Sequence, residues 1–120
     1  MTGAAPKQAR KTRPDDKTAA EELDHALLRA VYNADPDSAI AALDDGADVN
    51  ATDPQTGLAA LHIALGTNNL PMVRILVEDW GATIKPDGRG RWPTVIAARC
   101  RVDDELSDYI AEAEEKMQSS

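Results

Sequence analysis

Apolar residues recur along the chain at helical spacing. Leu23, Ala26, Leu27, Ala30 and Val31 fall at i, i+3, i+4, i+7 and i+8, which is one face of a helix. This predicts a helix from about Ala19 to Tyr32. Asn33-Ala34-Asp35-Pro36 interrupts it. Asp35 is an N-cap type with Pro36 in the first turn, so a second helix runs from about Pro36 to Asp44 and buries Ala39, Ile40 and Leu43. Gly46 stands where a left-handed C-cap is wanted. The same order then returns. A polar connection from Asp48 to Thr56 holds Asn50, Asp53 and Pro54. A helix from about Ala59 to Gly66, the turn Asn68-Asn69-Leu70-Pro71 and a helix from Pro71 to Asp79 follow it. Met72, Val73, Ile75, Leu76 and Val77 make that last helix apolar on two sides, as suits an element with neighbours on both. On the third pass, the turn-rich Asp87-Gly88-Arg89-Gly90-Arg91 leads into a short helix opening at Trp92-Pro93. Asp103 caps a final helix from about Asp104 to Met117. Leu106, Tyr109, Ile110, Ala113 and Met117 form its single apolar stripe, with a polar back, as a terminal capping helix requires.

The punctuation repeats as well as the periodicity. Gly46-Ala47-Asp48-Val49-Asn50 closes one helical pair, and Gly81-Ala82-Thr83-Ile84 closes the next 35 residues later. Gly57-Leu58-Ala59-Ala60-Leu61-His62-Ile63-Ala64 lies between them. A period in the low-to-mid thirties means stacked helical units. At these residues the chain resembles the ankyrin repeats, whose unit is a turn, a helix opening with Thr-Pro-Leu-His, a second helix and a Gly-Ala-Asp-Val-Asn exit. The resemblance covers about residues 19–117. It implies an all-α fold, a helical solenoid of about three stacked helix-turn-helix units joined by hairpin loops. The units fall near 19–50, 51–84 and 85–117, within a domain spanning 18–118.

The departures from the pattern are specific. Ala59 and Ala60 replace the Thr and Pro of the family opening, and Thr94 replaces the Leu of the third. In the family the opening Thr and His hydrogen-bond each other, so His62 must here find a backbone partner. His25-Ala26-Leu27-Leu28 stands in place of the first opening. One extra residue precedes the second exit, around Trp80. About three units is near the lower limit for this architecture, and the stability expected is modest.

Composition and charge narrow the partners. The chain has 120 residues, 42% apolar, with two Trp, two Tyr and no Phe, so alanine and aliphatic side chains must pack closely stacked helices. The net charge of −8 is unevenly placed: +3 over residues 1–17, −9 over 18–84, +4 over 85–101 and −6 over 102–120. An acidic body repels nucleic-acid phosphates and favours a basic partner. Residues 1–17, polar and basic, read as a disordered tail. No apolar run spans a membrane, no apolar stretch follows the N-terminal basic residues to make a secretory signal, and Cys100 is the only cysteine. These features point to the cytoplasm.

No catalytic or metal-binding set emerges. His25, His62 and Cys100 sit on three different units with no ligand spacing, and Gly88-Arg89-Gly90 lacks the Lys-Ser/Thr of a phosphate loop. No cofactor is expected, and the chain reads as a non-enzyme. The resemblance instead implies a concave face built from hairpin tips and first helices. Its matching positions are Tyr32, Asn33 and Thr67 on the helices, and Asp53, Gln55, Thr56, Arg89, Arg91 and Trp92 at the tips. Tyr, Trp and Arg dominate interface energies elsewhere. Trp92 can equally serve as core beneath the last hairpin. The expected function is protein–protein interaction by a monomer or weak dimer, in which an adaptor, inhibitor or immunity-type protein covers a basic partner. The alternative is a nucleic-acid-associated regulator using the basic tail and the Arg89–Arg101 patch.

Overall fold

A computed structural model describes residues 7–118. Six α-helices follow one another: α1 (Lys17–Tyr32), α2 (Pro36–Asp44), α3 (Ala60–Gly66), α4 (Leu70–Arg74), α5 (Pro93–Cys100) and α6 (Asp104–Gln118). α4 runs directly into a π-helical turn over Ile75–Asp79. There the Trp80 N–H reaches back to the Ile75 carbonyl at 3.2 Å. This turn is where the extra residue noted near Trp80 goes. A single insertion widens one turn of helix instead of shifting the exit.

The first helices of the three units form one layer. α3 packs between α1 and α5, α2 packs on α1, and α6 packs on α5. Ala60, Leu61, His62, Ile63, Ala64 and Leu65 of α3 are all buried, because the middle helix has neighbours on every side. Alanines at 39, 60, 64 and 97 let backbones approach closely, and Leu27, Val31, Leu43, Leu65, Met72, Leu76, Leu106 and Ile110 fill the space between them.

Each unit turns in the same way. Ala34, Asn68 and Arg101 carry φ of 56°, 58° and 52°, one left-handed residue between the two helices of every pair. Side chains cap α1, α2 and α4: Asp16 accepts from Thr18, Asp35 from Ser38 and Asn69 from Met72. The N-caps of α3 and α5, Ala59 and Trp92, give no side-chain bond. α5 is pinned from outside instead, since Glu114 of α6 accepts both the Thr94 N–H (3.2 Å) and its hydroxyl (2.9 Å). α6 is also tied to the second unit. The Tyr109 hydroxyl donates to Glu78 at 2.6 Å, and the Arg74 guanidinium lies 5.4 Å from the Tyr109 ring centre. Burial and the Glu78 carboxylate both push the Tyr109 hydroxyl pKa up.

Residues 1–6 of the expected tail lie outside the described residues. From Lys7 onward the chain runs as a non-helical strap against the body. The Lys7 N–H meets the Asp79 carbonyl, and the Lys11 N–H meets the Asp44 carbonyl at 2.9 Å. Arg13 closes both terminal nitrogens on the Asp24 carboxylate at 2.7 Å and also bonds the Gly46 carbonyl. The charge that suggested a solvated tail is what holds this segment, because the carboxylates of the acidic body lie beneath it.

Candidate protein-binding surface

The connection between the first two units is a hairpin closed by one antiparallel bridge, Thr52 with Ala59. Asp53 shapes its tip: its N–H bonds the Leu58 carbonyl, its carbonyl accepts from Gly57, and its carboxylate accepts the Gln55 N–H at 2.8 Å. Asp87, 34 residues later, repeats this role. Its N–H bonds the Arg91 carbonyl, and its carboxylate accepts the Arg89 N–H. Asp87 does more than Asp53, since its carboxylate also takes the Arg91 N–H (2.9 Å) and the Arg91 Nε (2.7 Å). Burial pushes the Asp87 carboxyl pKa up. Backbone N–H groups of Arg91 and Arg89 and the Arg91 guanidinium outweigh that and hold it below the usual value.

The two tips are stitched to each other. The Gly88 N–H donates to the Gly57 carbonyl at 2.7 Å. Arg89 reaches the Gln55 carbonyl at 2.8 Å, and Arg91 the Thr56 carbonyl at 2.9 Å. Such close approach leaves little room for a side chain at the crossing. A Cβ on Gly88 would lie 3.2 Å from the Gly57 backbone, and Gly57 itself has φ of +77°.

The structure therefore gathers Asp53, Gln55, Thr56, Arg89, Arg91 and Trp92 at one end of the first-helix layer, where Ala59 and Trp92 begin α3 and α5. Gln55, Thr56 and Arg89 are exposed, whereas Asp53, Arg91 and Trp92 are half-buried. Tyr32, Asn33 and Thr67 lie at the opposite end. Asn33 and Thr67 are the C-cap residues of α1 and α3, and Tyr32 is 70% exposed. The Thr67 hydroxyl turns back onto the Ile63 carbonyl at 2.9 Å. Seven residues of α3 separate the two groups, about 10 Å of helix. They are two ends of one surface rather than one cluster.

Sequence reasoning missed two features. One is Asp87, whose signal was its register with Asp53. The other is a groove of about 860 Å³ between α1 and the first hairpin, lined by Glu21, Glu22, Asp24, His25, Asp48 and Pro54 among others. Its α1 residues are mostly polar and recur at three- and four-residue spacing beside the buried Leu28, a pattern that reads in sequence only as a solvated side. Asp24 is the fixed point of the groove: it receives Arg13 and the Asp48 N–H, the latter at 2.8 Å. Burial raises its carboxyl pKa, but Arg13 and the Asp48 N–H bring it below normal.

Sequence comparison decides the family. A family model described as ankyrin repeats (3 copies) matches residues 27–118. The chain belongs to the ankyrin-repeat family. Among curated proteins it is similar to the human 2-5A-dependent ribonuclease, 30% identical over 87 residues, which are 72% of this chain and 12% of that protein. The chain thus spans about an eighth of that relative's length. Ankyrin repeats are protein-interaction modules. Among the described residues, no group of three or more His, Cys, Asp and Glu side chains could hold a metal ion, and no helix is long and apolar enough to cross a membrane.

Proposed function

We propose that this ankyrin-repeat protein binds a partner protein with a basic surface, without catalysis, and acts by covering it. The observation that carries the reading is the stitched pair of hairpin tips. Arg89, Arg91, Gly88 and Gly57 hold two neighbouring loops as one ledge. A surface fixed in advance loses little conformational entropy on docking. The acidic groove beside α1 gives the ledge a charge preference, since Glu21 and Glu22 are exposed along it. Such a field speeds capture of a basic partner and discourages acidic ones. In this reading the ledge and groove neutralise the partner by occupying its working face, as an inhibitor or immunity-type protein would. Cys100, free and exposed, suits a reducing compartment, and we place the protein in the cytoplasm as a monomer or weak dimer. Against a nucleic-acid reading, Arg89 and Arg91 each turn at least one guanidinium nitrogen inward, to Gln55, Thr56 and Asp87.

The test is affinity capture from native lysate with the full chain and with a Glu21→Lys/Glu22→Lys variant. Basic proteins retained by the first and lost by the second support the reading. Capture of acidic proteins alone, or equal capture by both chains, refutes it.

A further inference from the structure

The strap over residues 7–13 has an unusual means of attachment. Every one of these residues is exposed, so no apolar burial holds it. It is held by backbone hydrogen bonds and charge. The Lys7 and Lys11 N–H groups bond the Asp79 and Asp44 carbonyls, the last residues of the π-helical turn and of α2. Lys11 pairs with Asp45 at 3.4 Å, and Arg13 grips Asp24. The acceptors are helix C-terminal carbonyls, which lack partners within their own helices and lie at the negative end of the dipole. Four residues of chain reach at most about 13 Å, enough to bridge two neighbouring helix ends about 10 Å apart. Nothing in this seat depends on the apolar identity of the occupant. It asks for a non-helical chain with N–H groups at i and i+4 and cations beside them.

Contacts of this kind break readily. The exposed Lys11–Asp45 pair contributes little and is screened by salt, the bidentate Arg13–Asp24 pair is the firmer anchor, and segments that bury no apolar surface open at low cost. The strap keeps its place mainly because it is tethered to α1, which gives it a high effective concentration. Its sequence, Lys7-Gln8-Ala9-Arg10-Lys11-Thr12-Arg13, has the chemistry that the acidic body favours in a partner.

We propose that residues 7–13 are a displaceable internal occupant of a ledge formed by Asp24, Asp44, Asp45 and Asp79, and that this ledge receives a non-helical Lys- and Arg-bearing segment of another protein. Strap and segment exclude each other, so the free protein is self-capped on this side. This aspartate ledge is distinct from the ledge of stitched hairpin tips and shares only Asp24 with the groove beside α1, so the proposal stands whether or not the tips bind a partner.

The probe is a fluorescent peptide of residues 1–16, titrated by anisotropy into the full chain and into a full-length Lys11→Glu/Arg13→Glu variant, whose own strap is repelled by the ledge. The variant binds the peptide about tenfold or more tightly than the wild type does, and the binding weakens several-fold between roughly 50 and 300 mM salt. A peptide carrying both glutamates binds neither chain. If circular dichroism shows the double variant unfolded, Lys7→Glu/Lys11→Glu, which alters two exposed side chains, takes its place with the same expected ordering. Equal binding by wild type and variant, or no binding by a folded variant, overturns the proposal. So does wild-type dimerisation through exchanged straps, detected by sedimentation, which would assign the ledge to a second copy.

Discussion

Replacing Ala59 by Thr tests the account of how the middle unit is held together. His62 is 2% exposed, and its Nε2 lies 3.1 Å from the Lys85 carbonyl. A carbonyl only accepts, so Nε2 carries the proton and Nδ1 is left as a bare acceptor. Nδ1 is buried with no partner. The residue that would supply a donor is the N-cap of α3, and it is Ala59, already in the extended conformation a cap requires (φ −86°, ψ 168°). A threonine hydroxyl there accepts the His62 backbone N–H and donates to Nδ1. A restored cap contributes about 1 kcal/mol, and a partner for a buried orphan acceptor about 1 kcal/mol more. Crowding at a site only 7% exposed offsets part of this, so the expected gain is roughly 1–2 kcal/mol. For a domain of this size that is a rise of about 4–8 °C in Tm. Ala59→Val supplies the same shape without the hydroxyl. Urea and thermal unfolding of the two variants, with ¹⁵N spectra of the His62 ring, separate the hydrogen bond from the packing. If Thr and Val shift the midpoint equally, or Nδ1 resonates unchanged in the Thr variant, the reasoning is refuted.

Three further outcomes are expected. Burial keeps the His62 ring neutral, lowering its pKa from 6.5 against the weaker pull of Asp87 and the Lys85 carbonyl. The unfolded chain then binds the proton first, so stability is full above about pH 6.5 and falls as pH drops below it. Urea midpoints at pH 7.5 and 5.5 should show this, with the drop reduced in His62→Gln. Asp87→Asn removes the charge that takes two backbone N–H groups and Arg91 Nε. It should cost about 2 kcal/mol and raise amide exchange at both hairpin tips, whereas unchanged exchange at Gly57 would show that the tips are not coupled. Gly46→Ala places a Cβ 2.8 Å from the Arg13 Cα at a residue with φ of +107°. A loss of about 1–2 kcal/mol from the left-handed backbone should come with faster exchange at the Lys11 amide.

The helical stack was legible in the sequence because each of its signals is local. The i, i+3, i+4 spacing in α1, the Asp35-Pro36 start of α2 and the glycine exits at 46 and 81 depend on residues within one or two turns. Even the extra residue near Trp80 showed as a slip in the spacing, and the π-helical turn is how the backbone absorbs it. The interaction-module reading followed from the repeat itself. The ends of elements were less sharp, and α1 begins at Lys17, two residues before the expected start near Ala19.

Tertiary structure alone decided which polar residues are bound and which are free. Arg89 and Gln55 are 34 residues apart, and Arg13 and Gly46 are 33 apart. A charge exposed in the linear pattern can lie over a carbonyl or carboxylate of the next unit once the helices stack. The basic start of the chain illustrates this, reading as a solvated tail when taken alone and becoming a strap only because α1, α2 and the second unit present carboxylates and helix-end carbonyls to it. Short-range patterning determined the helices and their order. Long-range apposition, which no spacing rule encodes, determined that Asp87 and Asp24 would be fixed points of the surface.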